Sequence, residues 1–268
     1  MPDTILLSRP KLTTFLNCPR RFQLRYLRHL SWPDLFGDAQ TEEALTRGKQ
    51  FHLLLERHFL GLDIPLTSIG DTAVSIWYQS FKQHNPVRQN GRFLPEHRLT
   101  VPIGSHLLLG RFDLLVIGEQ EGEPFAHIYD WKTGRAKGAG ELEQDWQTRL
   151  YLALLAEGGG ALWGDGRSLH PDRITFTYWY AAEPDAPRII HYSAARHAQN
   201  WAETEAVASQ IEDHLQQDEW PLTADRSRCR RCGYQAYCGR QEAGPGQVAP
   251  AEDIGEEETA VSPEPALP

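Results

Sequence analysis

The chain has 268 residues, 40% of them apolar, with 27 basic and 36 acidic side chains for a formal net charge of −9, enough material for one sizeable core. No run of 18 apolar residues occurs, which excludes a membrane-spanning helix and a membrane partner through one. The start, MPDTILLSRPKLTTF, lacks the layout of a secretion signal, so a cytoplasmic protein is expected.

Charge is unevenly spread. Residues 241–268 carry seven acids and no Lys or Arg, leaving 1–240 at −2, while 9–28 holds six basic residues and no acid. A near-neutral body with a basic arm can hold a polyanion locally. The 241–268 segment, rich in Pro, Glu, Ala and Gly, has little to bury and is read as a disordered acidic tail behind a domain spanning 1–240.

In chain order, Ser8 is a candidate N-cap for a helix carrying Leu12, Phe15 and Leu16 on one face. Pro19 interrupts it, and RRFQLRYLRHL resumes helical spacing. Residues 40–60 read as an amphipathic helix that contains His52 and is bent at Gly48, and a second helix is expected near 72–84. The period then changes: HRLTVPI, HLLLGRFDLLVIG and FAHIYDWK read as three strands. Residues 141–157 form one helix ending at Gly158–Gly160. RITFTYWYA and RIIHYSA read as a hairpin through EPDAP, followed by a helix at 195–217. This order predicts an α/β (α+β) fold, a mixed sheet flanked by helices.

Several side chains stand out against that background. Asp113 falls in mid-strand, where a carboxylate is costly unless paired or metal-bound. Asp130 and Lys132 are two apart on the next strand and share a face, with Trp131 pointing the other way. A hairpin would bring Asp113 and Asp130 together beside Lys132, a reasonable site for a hard divalent cation and a phosphate oxygen. Taken singly, each reads as an edge-strand aspartate or a solvated ion pair; jointly they are harder to dismiss. Gln147 and Tyr151 are i and i+4 on the following helix and face the same way. Cys229, Cys232 and Cys238 follow C-x2-C-x5-C, with Cys18 far upstream, a spacing that suits a tetrahedral zinc ion as well as a cluster.

The ordered set GRFDLLV, IYDWKTGR and QTRLYLALL resembles RecB-like nucleases of the PD-(D/E)XK superfamily. RGKQFHLLLE and LPEHRLTVPI match upstream family elements, and FLNCPRRFQLRYL with CRRCGYQAYC resembles the iron–sulfur branch. The resemblance spans about 8–240. It implies a restriction-endonuclease-like core hydrolysing DNA phosphodiesters with Mg²⁺ or Mn²⁺ held by Asp113, Asp130, His52 and Glu96. Lys132 would act on the attacking water, and Gln147 and Tyr151 would orient Lys132 or touch the DNA backbone. A 4Fe–4S cluster on Cys18, Cys229, Cys232 and Cys238, with zinc as the alternative, would staple the N-terminal helix to the C-terminal segment. Arg20, Arg21, Arg25 and Arg28 would track phosphates, and Trp146 or Tyr234 would stack bases of a single strand or free end. Family members act in recombinational repair or in CRISPR adaptation, with helicase or integration partners. The alternative to an exonuclease or end-processing enzyme is a non-catalytic DNA-binding subunit. No phosphate loop of the G-x-x-x-x-G-K-[ST] kind is present, so no ATP motor is expected within the chain.

Overall fold

The computed structural model describes residues 4–30, 39–62, 64–164 and 166–241; the expected acidic tail from residue 242 onward lies outside them. The chain begins with a short strand, β1 (Leu6–Ser8), then helices α1 (Arg9–Asn17) and α2 (Pro19–Phe22), the latter running into a wide helical turn at Gln23–Leu27. Two longer helices follow, α3 (Ala39–Phe59) and α4 (Thr72–Gln83). Three antiparallel strands come next: β2 (Arg92–Ile103), β3 (His106–Gln120) and β4 (Glu123–Lys132). After them stand α5 (Ala139–Gln144), α6 (Trp146–Gly158), β5 (Ile174–Tyr180), β6 (Glu183–His191) and α7 (Ala194–Gln217).

These strands make one mixed six-stranded sheet in the order β1-β3-β4-β5-β6, with β2 also on β3. β4 and β5 are parallel, joined through α5 and α6, as a crossover of that length allows. β3 is the organising strand. β2 covers one of its sides from His106 to Ile117; on the other side β1 pairs with Leu107–Leu109 and β4 with Leu114–Gln120. A mixed sheet flanked by helices fits the restriction-endonuclease-like core expected from the sequence.

Two cores lie on opposite faces. One gathers Leu12 and Phe15 of α1, Leu150 and Leu154 of α6, and Val207 and Ile211 of α7 against Leu115, Ile128 and Phe176. The other packs Phe51 and Leu55 of α3 and Tyr78 and Phe81 of α4 on Leu114, Tyr129, Trp131 and Trp179. Gly110 lets α6 lie close on β3, since a Cβ there would come 3.3 Å from Leu154 and 3.7 Å from Tyr151.

Several boundaries differ from the sequence reading. β1 is only three residues long, too short to show a period. The helix expected over 141–157 is two helices, because Asp145 turns extended and its carboxylate accepts the Gln147 amide as the N-cap of α6. α3 runs unbroken through Gly48, where an added Cβ would come 3.5 Å from Thr133 Oγ1. The β5–β6 turn is Ala181–Ala182, so Pro184 and Pro187 of EPDAP belong to β6, while Pro95 and Pro102 lie in β2.

Trp179 is fully buried between α3 and α4, stacked on Phe51 at 5.8 Å and edge-on to Phe81 at 5.5 Å. Trp179→Ala is expected to cost about 3–5 kcal/mol, read as a lowered urea midpoint with an unchanged slope. A loss below about 1 kcal/mol would contradict this packing.

Candidate active site

Asp113 sits where the pairing of β3 breaks. The β3–β4 ladder ends at Leu114 opposite Tyr129, and the β2–β3 ladder skips the pair Glu96/Asp113 between Pro95–Leu114 and His97–Phe112. The side chain fills the gap: Asp113 Oδ2 accepts the Trp131 amide at 2.9 Å. Phe112 packs in one core and Leu114 in the other, although positions two apart on a strand normally share a face, so β3 turns over at Asp113. Opposite it, Glu96 has φ 50°, a left-handed conformation that costs a non-glycine residue on the order of 1 kcal/mol or more.

Helix α3 lies over this break and presents His52, whose Nδ1 is 3.4 Å from Asp113 Oδ2. One donor atom each from His52, Glu96 and Asp113 lies within 4.8 Å of the others. Two carboxylates and an imidazole form a hard, mostly oxygen set that suits Mg²⁺ or Mn²⁺. Burial would lower the His52 imidazolium, but the Asp113 carboxylate outweighs it and holds the group up at about 9. Burial, aided by Asp113, pushes Glu96 up to about 7 against the pull of Arg111 and His52. Burial alone would raise Asp113, yet His52, Lys132 and the Trp131 amide keep it below the usual carboxylate range.

The end of β4 supplies the second half. Asp130 and Lys132 point the same way, with Lys132 Nζ 2.9 Å from Asp130 Oδ2. Gln147 ties them together, donating to Asp130 Oδ1 at 2.8 Å and accepting from Lys132 Nζ at 3.5 Å. Trp131 points to the opposite core and stacks on Phe59 at 5.8 Å. Tyr151, one turn along α6 from Gln147, is buried edge-on to Phe112 and borders the same cleft. Asp113 thus stands with His52 and Glu96, whereas Asp130 is engaged by Lys132 and Gln147.

The cleft above these groups holds about 540 Å³. Its lining includes the cations Arg9, Arg47, Lys49, Arg98, Arg111 and Lys132, with Leu45, Leu53 and Trp77 from α3 and α4 as an apolar wall. Of these, the sequence analysis singled out Lys132 and counted Arg9 in the basic arm, and it missed the rest. Arg98 and Arg111 gave no local signal, because the break at Glu96 and Asp113 interrupts the period-two pattern that would tie them to those acids. Arg47 is oriented by Asp71, the N-cap of α4, at 2.9 Å.

Arg20, Arg21 and Arg25 are not brought into this cleft. Arg20 lies over the Tyr237 ring at 5.9 Å and Arg25 over Tyr26 at 5.7 Å. Trp146 packs against the core, and Tyr234 is buried with its hydroxyl donating to Leu30 O at 2.7 Å.

The expected four-cysteine centre is not closed. Cys18, Cys229, Cys232 and Cys238 are free, half-buried thiols, and among the described residues no three of their sulfurs lie within 4.8 Å of one another. A single tetrahedral zinc, with Zn–S near 2.3 Å, needs a tighter set. Burial raises the Cys232 thiol against the pull of the Tyr234 amide and Arg21. Hydrogen bonds join the two chain ends, Arg228 Nη1 donating to Leu16 O at 2.8 Å and the Arg20 amide to Pro221 O at 3.2 Å.

A family profile described as the PD-(D/E)XK nuclease superfamily matches residues 6–100 and 72–239. No curated protein matches the chain. Among solved structures, that of SSO0001 is similar over 89% of this chain and 87% of its own, with 14% identity and a TM-score of 0.38.

The protonation states give a pH dependence for cation binding. Below pH 9 His52 carries a proton that a cation must expel, and below about 7 so does Glu96. Mn²⁺ binding is therefore expected to release protons and to tighten as pH rises from 6 to 9, by up to about tenfold per pH unit for each proton displaced. Titration calorimetry in buffers of different ionisation enthalpy reads both quantities, and an affinity flat across this range would disprove the ligand set.

Proposed function

This chain belongs to the PD-(D/E)XK nuclease superfamily, and from that membership we propose that it hydrolyses DNA phosphodiester bonds with Mg²⁺ or Mn²⁺. The observation that carries the reading is the meeting of the His52–Glu96–Asp113 donor set with the Asp130–Lys132 pair on the floor of one cation-rimmed cleft.

His52, Glu96 and Asp113 would hold the ion, with Asp130 alongside. When bound there, it supplies Lewis-acid stabilisation of charge on the phosphate and a hydroxide near neutral pH. The chain's own residues do the rest. Asp130 and Gln147 fix Lys132, so that its ammonium is set to orient the attacking water and offset charge growing on the phosphate oxygens. Tyr151 closes the floor beside Gly110. The cationic lining binds the substrate backbone, which makes affinity strongly salt-dependent.

The finer reading is an exonuclease or end-processing enzyme of the RecB-like branch, acting in recombinational repair or CRISPR adaptation beside a helicase or an integration complex. It is supported by the apolar wall of Leu45, Leu53 and Trp77, which suits the unpaired bases of a single strand or free end. A non-catalytic DNA-binding subunit is disfavoured by the intact Lys132–Asp130 contact beside a complete donor set. Cytoplasmic location belongs to the same proposal and fits four free thiols. Among the described residues no helix is long and apolar enough to cross a membrane. A cysteine-ligated 4Fe–4S cluster rests on the C-x2-C-x5-C spacing of Cys229, Cys232 and Cys238 with Cys18 upstream, not on ligand distances.

Degradation of end-labelled DNA in Mg²⁺, Mn²⁺ or EDTA tests the activity. Asp113→Ala and Lys132→Ala are each expected to slow cleavage on the order of a hundredfold or more. Both variants should stay folded by circular dichroism but melt somewhat lower, Asp113→Ala because the Trp131 amide loses its acceptor and Lys132→Ala because Asp130 loses its counter-ion. Wild-type rates in either variant would refute the assignment. Iron and sulfide assays on anaerobically purified protein test the cluster separately: stoichiometric iron and sulfide would support it, and their absence would remove it.

A further inference from the structure

Two residues along the β2–β3 ladder from the break at Glu96 and Asp113, two arginines are directly opposed. Arg98 of β2 is in register with Arg111 of β3. Directly opposite residues share a face, with Cβ atoms roughly 5 Å apart, and like charges so placed repel. Both line the cleft. Arg111 Nε lies 3.2 Å from Glu96 Oε2. The Arg98 side chain is exposed and makes no hydrogen bond or ion pair among the described residues. Glu96 thus engages only one of the two opposed guanidinium groups, and its carboxylate is also a member of the donor set with His52 and Asp113.

Such a pair is a liability to folding and an asset to anion binding. Guanidinium forks match phosphate oxygens, and two forks on one sheet face converge on one anion. The spacing also fits. Two residues along a strand cover roughly 6.5 Å, close to the reach between neighbouring phosphates of one nucleic-acid strand.

We propose that Arg98 and Arg111 form a phosphate subsite one nucleotide from the hydrolysed bond, and that Glu96 gates it. Glu96 occupies Arg111 in the structure, which leaves the subsite half filled. When Glu96 turns to a divalent cation, Arg111 is released to the strand, so loading the metal also prepares the grip on DNA. This rests on the nuclease reading for the identity of the strand, and on the register and the Arg111–Glu96 contact for the rest.

The test is the binding of a labelled single-stranded oligodeoxynucleotide to full-length protein carrying Lys132→Ala to prevent cleavage, over a salt series in EDTA or Mn²⁺. Arg98→Gln is expected to weaken binding about tenfold and to reduce the slope of log affinity on log salt by about one in both conditions. Arg111→Gln should do the same only with Mn²⁺. In EDTA, Glu96→Gln should tighten binding, and adding Arg111→Gln should erase that gain, whereas a mere change of net charge would leave it. Arg98→Lys, which keeps the charge, should restore the slope and guards against misfolding of the Gln variant. Unchanged slopes in Mn²⁺ for both Gln variants would overturn the subsite, and an equal effect of Arg111→Gln with and without metal would overturn the gate. Wild-type protein that binds with these slopes but never cleaves would sink the nuclease reading and leave the subsite standing.

Discussion

The hydrogen bond from the Trp131 amide to the Asp113 carboxylate is the contact on which the site depends. β3 serves β1 over one stretch and β4 over another, and between the two its edge would present unpaired backbone groups in the interior. Across that gap the Asp113 side chain satisfies a group of the facing strand, accepting the Trp131 amide of β4 at 2.9 Å. The same bond holds β3 and β4 together at the point where their ladder stops, and so sets where Asp130 and Lys132 project. A buried carboxylate with that duty is tolerable because His52 and Lys132 surround it with positive charge.

Charge balance explains the remaining arrangement. Four acids, Glu56, Glu96, Asp113 and Asp130, line a cleft that also carries His52 and six Lys or Arg side chains. Each acid at the floor has a cationic neighbour: His52 for Asp113, Arg111 for Glu96 and Lys132 for Asp130. These partners neutralise carboxylates that would otherwise repel one another, so the floor of the cleft is held in place by its own ion pairs.

Much of this was legible in the sequence, for identifiable reasons. Asp130, Trp131 and Lys132 alternate with period two, so their faces follow from the order of residues alone, and the i, i+4 spacing put Gln147 and Tyr151 together on α6. The superfamily followed from the order of such short patterns. What stayed hidden were features that only tertiary contacts create. Nothing local announces the left-handed Glu96 or the turnover of β3 at Asp113. Arg98 and Arg111 read as ordinary surface cations until β2 and β3 are in register. Basic density drew attention to Arg20, Arg21 and Arg25, but density says nothing of which way a helix faces, and none of the three lines the cleft. The cysteine spacing likewise states a separation along the chain, not the distance between sulfurs.

The prolines of the two long edge strands have a consequence for how this molecule meets others. Pro95 and Pro102 in β2, and Pro184 and Pro187 in β6, offer no amide hydrogen. An incoming strand, from a second copy or from a peptide, would find gaps in the donor row at both margins of the sheet. Sheet extension, the simplest route to fibrils and to strand-swapped dimers, is thereby discouraged. Any protein that recruits this chain to DNA is directed to read side chains on its helices and loops instead of adding a strand to its sheet.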